Sequence, residues 1–463
     1  MKQWADKKVL VLGLGETGLS MVRWLGAQGA RLRVADSRSS LPNLPEVGQH
    51  VAGDQIFCGA FSDALFEGIE LIAISPGVPL HDEFVARAVA RGTPVVGDIE
   101  LFAWHLEISG LRSKTRVLAI SGSNGKTTVT SMVEHLCKAA YRNVVAAGNI
   151  SPAVLDMVLA RGENQPEIWA LELSSFQLET TKTLNADVAT VLNVSEDHLD
   201  RYAGIDEYAA AKARIFQGCG VQILNRDDPR SMGMARAGSV IITFGLSLPE
   251  SANDFGIERA ENDIWLMQGR QRLLKTGELQ VAGLHNIANA LAALALCSAI
   301  NLPMPVLLDA LRSFRGLPHR VERVAEIDGV VYYDDSKGTN VGATVAALEG
   351  LGRKVVLLAG GEGKGQDFAP LKPAVMQHAR AVVLIGRDAP LIEAALKNCG
   401  VPLLRAENMN DAVLQAAHSA RSGDAVLLSP ACASFDMFRN YEHRAEIFVE
   451  AVHELIKEAA WSR

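Results

Sequence analysis

Ser121-Gly122-Ser123-Asn124-Gly125-Lys126-Thr127-Thr128 follows the apolar run Val117-Leu118-Ala119-Ile120 and precedes apolar residues at Val129, Met132, Val133, Leu136 and Cys137. The run reads as a buried strand, and the spacing after it reads as a helix with one apolar face. Strand, glycine loop, Lys-Thr and helix are together the parts of a phosphate-binding loop. Glycines let backbone N–H groups converge on phosphate oxygens, and the helix N-terminus adds free donors and its positive dipole end. Gly122, Ser123, Asn124, Gly125, Lys126, Thr127 and Thr128 thus form a cradle, with Lys126 for the β- and γ-oxygens and the Thr127 hydroxyl for Mg²⁺. The common pattern G-x-x-x-x-G-K-[ST] places a glycine at position 120, where this chain has Ile120. Use of a nucleoside triphosphate is the first expectation, against an ordinary strand-to-helix turn with a surface lysine.

Composition narrows the class. A chain of 463 residues has room for two to four domains, and 48% hydrophobic with 21% charged residues describes an ordinary globular protein. A net charge of −8 offers no global attraction for nucleic acid. The six cysteines are scattered without a C-x-x-C pair, which reads as reduced cytosolic thiols rather than a disulfide frame or zinc site. No run approaches the length of a membrane span, and the N-terminus lacks a secretory pattern, so neither secretion nor membrane insertion is expected.

Upstream of the loop, Val9 to Leu12 reads as a strand, followed by Gly13-Leu14-Gly15-Glu16-Thr17-Gly18, a helix to about Ala27, and a strand from Arg31 ending at Asp36. This is a βαβ start with G-x-G-x-x-G and an acid about 20 residues on. Its glycines permit close approach of any diphosphate, so NAD, another nucleotide diphosphate and a purely structural turn all stay open. A further strand, Leu71 to Ile74, ends in Ser75-Pro76-Gly77, at the strand end where open α/β sheets bind ligands. Ser109 to Thr115 reads as a linker.

Downstream, the strand Ile168 to Leu171 ends at Glu172, where a phosphate-loop fold carries a Mg²⁺-ligating acid; a carboxylate paired with a neighbouring base is the alternative. The strand Val188 to Leu192 is followed by Asn193, Glu196, Asp197, His198 and Asp200, and His198 is a candidate ligand by its place. By composition, Lys212 and Arg214 lie on a solvated face of an alanine-rich helix, Ile205 to Gln217. Ile257 to Gly283 suggests small strands at an edge, and Gly316 to Arg320 a second junction. Beyond it, strands at Val330–Tyr333, Lys354–Ala359 and Ala425–Leu428 end in loops carrying Lys337, Lys364 and Ser434. Three such loops on one sheet edge suggest an anionic ligand. The expectation is α/β throughout, in three domains: Rossmann-like residues 1–111, a central mostly parallel phosphate-loop domain 112–316, and Rossmann-like residues 317–463. One domain activates ATP and two present ligands to it, which suits phosphorylation of a carboxylate followed by attack of an amine.

The chain resembles the Mur ligases of bacterial cell-wall synthesis. The motifs are Gly122 to Thr128, Leu171-Glu-Leu-Ser-Ser-Phe-Gln-Leu-Glu179, Asn193-Val-Ser-Glu-Asp-His-Leu-Asp-Arg201, Gly283-Leu-His-Asn286, Leu317-Pro-His-Arg320, Asp335-Ser-Lys-Gly-Thr-Asn340 and Ser429-Pro-Ala-Cys-Ala-Ser434. They span essentially the whole chain, and the short phosphate loop is also the family's form. The resemblance implies a cytoplasmic, monomeric, ATP- and Mg²⁺-dependent ligase, of the branch that joins D-glutamate to UDP-N-acetylmuramoyl-L-alanine through an acyl phosphate and a tetrahedral intermediate.

It also implies roles. Asn289, Arg320 and Asp335 join the phosphate loop around ATP. Thr127, Glu172 and His198 form the Mg²⁺ shell together with Lys212, which the family carbamylates; this reverses the reading from composition. Lys126, Glu172, His198 and Lys212 then carry the catalysis. Gly15, Glu16, Thr17, Asp36, Ser37, Arg38, Ser75, Pro76 and Gly77 hold UDP, so the first glycine motif cradles UDP rather than NAD, and Asn149 meets the substrate near the transferred phosphate. Lys337, Thr339, Lys364, Ser434, Phe435 and Tyr441 receive D-glutamate. Gly338 stands where the family pattern has alanine, and Tyr441 where it has phenylalanine. A different acceptor within the family, a folylpolyglutamate-synthase-like ligase and a nucleotide-driven switch are the competing readings.

Overall fold

The structure, a computed structural model, describes residues 4–197, 201–260, 263–281 and 283–461. The first strand–helix alternation builds a sheet from β1 (Lys8–Leu12), β2 (Arg31–Asp36), β3 (Ile56–Cys58), β4 (Leu71–Ile74) and β5 (Val95–Val96). Its order is β3-β2-β1-β4-β5, with every pair parallel. Val9 and Val11 enter one apolar cluster and Leu10 and Leu12 another, so the strand is buried on both faces and reads as a continuous apolar run. The strand order reverses between β1 and β4, which opens a crevice at their carboxyl ends.

The second sheet comprises β6 (Arg116–Ser121), β7 (Val144–Gly148), β8 (Ile168–Glu172), β9 (Val188–Val191), β10 (Val221–Asn225) and β11 (Val240–Phe244). It is wholly parallel, in the order β11-β10-β9-β6-β8-β7. β6 lies between β8 and β9, so the loop that leaves it at Ser121 is flanked by Glu172 on one side and Asn193 on the other. The helix Leu284–Ala299 packs against the helix Lys126–Ala139, and its residues Ala290 to Cys297 are wholly buried. Small side chains allow that approach. A separate antiparallel sheet, β12 (Phe255–Ala260), β13 (Asp263–Gln268) and β14 (Gln271–Lys275), accounts for the turn-rich stretch.

The third sheet contains β15 (Glu322–Ile327), β16 (Val330–Asp334), β17 (Val355–Gly360), β18 (Ala379–Ile385), β19 (Leu403–Arg405) and β20 (Ala425–Leu428), in the order β15-β16-β20-β17-β18-β19. Only β15 runs antiparallel to its neighbour. β20 sits between β16 and β17, which sets the three lysine- and serine-bearing loops side by side.

The first two sheets are firmly joined. Phe102 packs edge-on against Trp169 with ring centroids 4.9 Å apart. Arg23 holds both oxygens of Asp156 at 2.7 Å, and Gln177 donates to the buried Asp98 carboxyl at 3.0 and 3.3 Å. Among the described residues, no helix is long and apolar enough to cross a membrane.

Candidate active site

The phosphate loop is shaped by left-handed glycines, Gly122 at φ +151° and Gly125 at φ +85°. A Cβ on Gly125 would lie 2.6 Å from Asn289 Oδ1, and at this left-handed φ any side chain would be strained and would displace Asn289. Lys126 folds back, its Nζ donating to Gly122 O and Ser123 O, both at 2.9 Å. Asn193 clamps the loop: its Oδ1 accepts from Asn124 N at 2.8 Å while its Nδ2 donates to Asn124 O at 3.0 Å. Across the second junction, Arg320 Nη2 donates to Thr127 Oγ1 at 2.9 Å.

A cavity of about 320 Å³ opens beside the loop, with Asn124, Gly125, Thr128, Asn289, Arg320 and Asp335 in its wall. Burial pushes the Asp335 carboxyl up to about 7, against the opposing pull of the Ser429 hydroxyl and the Arg320 charge. The wall also includes Asn286, whose Oδ1 accepts from Asn289 Nδ2 at 3.2 Å. Asn286 closes the motif Gly283 to Asn286 but carries no assigned role in the sequence reading, although its spacing of three from Asn289 on one helix is a usable signal.

A second cavity, of about 570 Å³, brings Lys126, Thr127, Asn149, Glu172, Asp197 and Lys337 together. Glu172 is 2% exposed. Its Oε1 accepts from Asn149 Nδ2 at 3.0 Å, while its Oε2 is buried without a hydrogen-bond partner among the described residues. His198 lies outside the described residues.

Lys212 corrects the reading from composition. It does not belong to a solvated face: it is 1% exposed, donates to Gly122 O at 2.8 Å and lies 4.4 Å from the centre of the Tyr208 ring. Burial, and then the charge of Lys126, push its pKa well below that of an ordinary lysine. Arg214 is half-buried, and its Nε donates to Leu178 O at 2.7 Å. The helix that carries Lys212 ends at Ala213, and a 3₁₀ turn takes over from Arg214 to Phe216.

The residues expected around UDP sit apart from this cleft, at the carboxyl ends of β1, β2 and β4. Gly18 lets the helix approach β1, because a Cβ there would lie 1.8 Å from Gly13 O. Ser75 Oγ donates to Gly13 O at 2.7 Å, joining the two turns. Asp36 accepts from Leu14 N at 2.7 Å and from Arg38 Nε and Nη2, both at 2.8 Å. The Arg38 bonds lead in lowering its pKa to about 2, so it stays a carboxylate. Gly15, Glu16, Ser37, Arg38 and Gly77 are exposed along the crevice, and Thr17 and Pro76 are half-buried. Sequence reading missed the tie from this crevice to the central cleft. Arg201 donates to Pro76 O at 2.8 Å and Val78 O at 3.3 Å, pairs with Glu179 at 3.2 Å and stacks on Phe176.

The third sheet supplies a cavity of about 530 Å³ whose wall includes Lys337, Thr339, Lys364, Ser434, Phe435 and Tyr441. Lys337 Nζ lies 3.7 Å from the centre of the Tyr441 ring and Lys364 Nζ 5.8 Å from that of Phe435. Burial leads in lowering the Lys337 pKa. Gly338, where alanine was the expected residue, makes room for Asp335: a Cβ would lie 2.5 Å from its Oδ2. Arg444, also missed, is 2% exposed and ties two of the loops, donating to Ser336 Oγ, Ser336 O and Cys432 O.

Family models match the chain in order: Mur ligase MurD-like N-terminal domain over 7–97, Mur ligase middle domain over 120–297 and Mur ligase glutamate ligase domain over 319–432. The chain is 57% identical over 456 residues to the UDP-N-acetylmuramoylalanine--D-glutamate ligase of Nitrosomonas europaea, covering 97% of this chain and 96% of that protein. It is 56% identical over 457 residues to the enzyme of the same name from Methylobacillus flagellatus, covering 99% of both. Among solved structures, MurF from Acinetobacter baumannii aligns with a TM-score of 0.61 at 17% identity, covering 97% of this chain and 92% of that one. UDP-N-acetylmuramate-alanine ligase MurC from Thermotoga maritima aligns with a TM-score of 0.58 at 19% identity, covering 96% and 99%. At such identities these two speak to the fold alone. With three domain models matched in succession and relatives alike over nearly their whole length, the chain belongs to the Mur ligase family.

Proposed function

We propose that this chain is an ATP-dependent ligase that adds D-glutamate to UDP-N-acetylmuramoyl-L-alanine in peptidoglycan precursor synthesis, acting in the cytoplasm as a monomer. The observation that carries the reading is that the three cavities adjoin through shared wall residues. Asn124, Gly125, Arg320 and Lys337 belong to the walls of both the nucleotide cavity and the central cleft. Asp197, Lys337, Thr339 and Tyr441 belong to both the cleft and the lysine-lined cavity. An acyl phosphate made at the cleft is therefore within direct reach of an amine held in the third domain. The names of the full-length relatives support the choice of substrates.

In this reading the terminal carboxylate of UDP-N-acetylmuramoyl-L-alanine attacks the γ-phosphorus of ATP. An acyl O–P bond forms and the bond to ADP breaks. The uncharged amine of D-glutamate then attacks the acyl carbon, and the tetrahedral intermediate expels phosphate as one amine proton is lost. Lys126 and the loop N–H groups hold the transferred phosphate, Asn149 orients the carboxylate, and Asn289, Arg320 and Asp335 hold the nucleoside end. Gly15 to Thr17, Asp36 to Arg38 and Ser75 to Gly77 bind the UDP group. Lys337, Thr339, Lys364, Ser434, Phe435 and Tyr441 receive D-glutamate.

Thr127, Glu172, His198 and a carbamylated Lys212 are the residues that would hold Mg²⁺. The partnerless buried oxygen of Glu172 and the hydroxyl of Thr127 are hard donors that fit this ion. When bound, it neutralises charge on the phosphate oxygens. The lowered pKa of Lys212 favours the neutral amine, the form that takes up carbon dioxide with loss of a proton.

Phosphate release tests the reading. ATP is supplied with or without UDP-N-acetylmuramoyl-L-alanine, and with D-glutamate, L-glutamate, L-alanine or no amino acid. Sustained release is expected only with both the UDP-sugar and D-glutamate. Release without either would favour a nucleotide switch, and release with another amino acid would move the chain to another branch of the family.

A further inference from the structure

We infer that Gln366 is a positioning residue that sets the spacing of the three loops around the amino-acid pocket; the inference rests on reading that pocket as the D-glutamate site. The loops follow β16, β17 and β20 and are distant in sequence. One carboxamide touches the second and third loops and Val341, the helix residue that follows the first. Gln366 Oε1 accepts from Val341 N at 3.0 Å, and Gln366 Nε2 donates to Gly363 O at 3.0 Å and to Ala431 O at 2.9 Å. Both amide hydrogens and the carbonyl oxygen are thus engaged, and Gln366 stands in the wall of the pocket itself.

The placement matters because of what each loop carries. The first bears Lys337 and Thr339, the second Lys364, and the third Ser434. These groups must meet the two carboxylates of one small ligand at once, so the spacing of the loops fixes the spacing of the charges. Backbone bonds already tie the third loop to the others, Ala431 N donating to Gly338 O and Glu362 N to Ala433 O, both at 2.9 Å. The Gln366–Val341 bond links the first loop to the second. Gln366 also closes the turn around Lys364, which has the left-handed φ of +51°. Both its backbone N, at 3.2 Å, and its side chain donate to Gly363 O. A non-glycine residue in that conformation persists only where its surroundings hold it.

Two variants test this. Gln366→Glu keeps the shape and an acceptor for Val341 but loses both donor bonds. Gln366→Met keeps the length and loses all three. Initial rates are measured with each substrate varied in turn, and acyl phosphate formed without D-glutamate is trapped with hydroxylamine. Both variants are expected to raise KM for D-glutamate roughly tenfold or more, since a misplacement of about 1 Å is enough for such losses. KM for ATP and for the UDP-sugar, and the trapping rate, are expected to stay within about twofold. If the Met variant does not fold, the Glu variant carries the same measurement. An unchanged KM for D-glutamate, or a parallel loss in all three KM values and in trapping, would overturn the inference. Wild-type turnover that ignores D-glutamate would instead sink the reading of the pocket, and the inference with it.

Discussion

Lys126 and Lys212 donate to the same acceptor: Gly122 O lies 2.9 Å from the first ammonium nitrogen and 2.8 Å from the second. Burial lowers the pKa of both lysines, and the charge of Lys126 lowers that of Lys212 further. In the proposed mechanism Lys126 gains a phosphate partner when nucleotide binds. In the same mechanism Lys212, enclosed by the loop and the Tyr208 ring, loses its proton and becomes a carbamate.

Lys212→Ala is therefore expected to lower kcat by at least about 10², the scale of losing one preorganised charge contact. Added formate or acetate is expected to restore part of the activity by replacing the carbamate oxygens. Full activity in the unsupplemented variant would remove Lys212 from the mechanism.

Glu172→Gln replaces the partnerless oxygen or its neighbour with an amide of the same shape. A loss in kcat on the order of 10² is expected, together with a higher Mg²⁺ concentration for half-activation and an unchanged thermal midpoint. A Mg²⁺ dependence identical to that of the wild type would show that the carboxylate holds no metal.

Arg201 spans two domains, reaching Pro76 O and Val78 O from the segment beyond β9. Hydrogen bonds from a charged donor contribute about 1.5–3 kcal/mol, roughly a tenfold change or more in an equilibrium constant. Arg201→Ala is expected to raise KM for the UDP-sugar by about that factor and to leave KM for D-glutamate within about twofold. Equal increases in both would point to a general loosening instead.

Asp98 gives the fold a pH signature. Burial raises its carboxyl from 3.8 to about 6, against the opposing bonds from Gln177. The folded state holds a proton in that window that the unfolded chain has released. This contribution is fully present below pH 3.8 and is lost as the pH rises through about 6. Asp98→Asn should become progressively more stable relative to the wild type between those limits, as read by urea unfolding across that range. A pH-independent difference would contradict the assignment.

The phosphate loop is legible in sequence because its determinants are local: an apolar strand, two glycines, Lys-Thr and an amphipathic helix. The three lysine- and serine-bearing loops are legible for the same reason, each being a polar run after a buried strand. Lys212 is not legible from its local pattern, since the carbonyl it donates to, Gly122 O, is ninety positions away. Arg201, Gln366 and Arg444 likewise act through contacts that only the folded chain creates. β3 and β7 escaped notice for another reason. One has three residues with an exposed Phe57, and the other is made of small residues at a sheet edge, so neither presents a long apolar run.

In the proposed reaction the carboxylate of the UDP-sugar is phosphorylated before the amine attacks it. UDP-N-acetylmuramoyl-L-alanine labelled with ¹⁸O in its terminal carboxylate, turned over with ATP and D-glutamate, tests this by mass spectrometry of the released phosphate. One labelled oxygen per phosphate is predicted, carried over when the acyl C–O bond breaks. Phosphate free of label, formed along with the amide product, would show that the amide forms without an acyl phosphate.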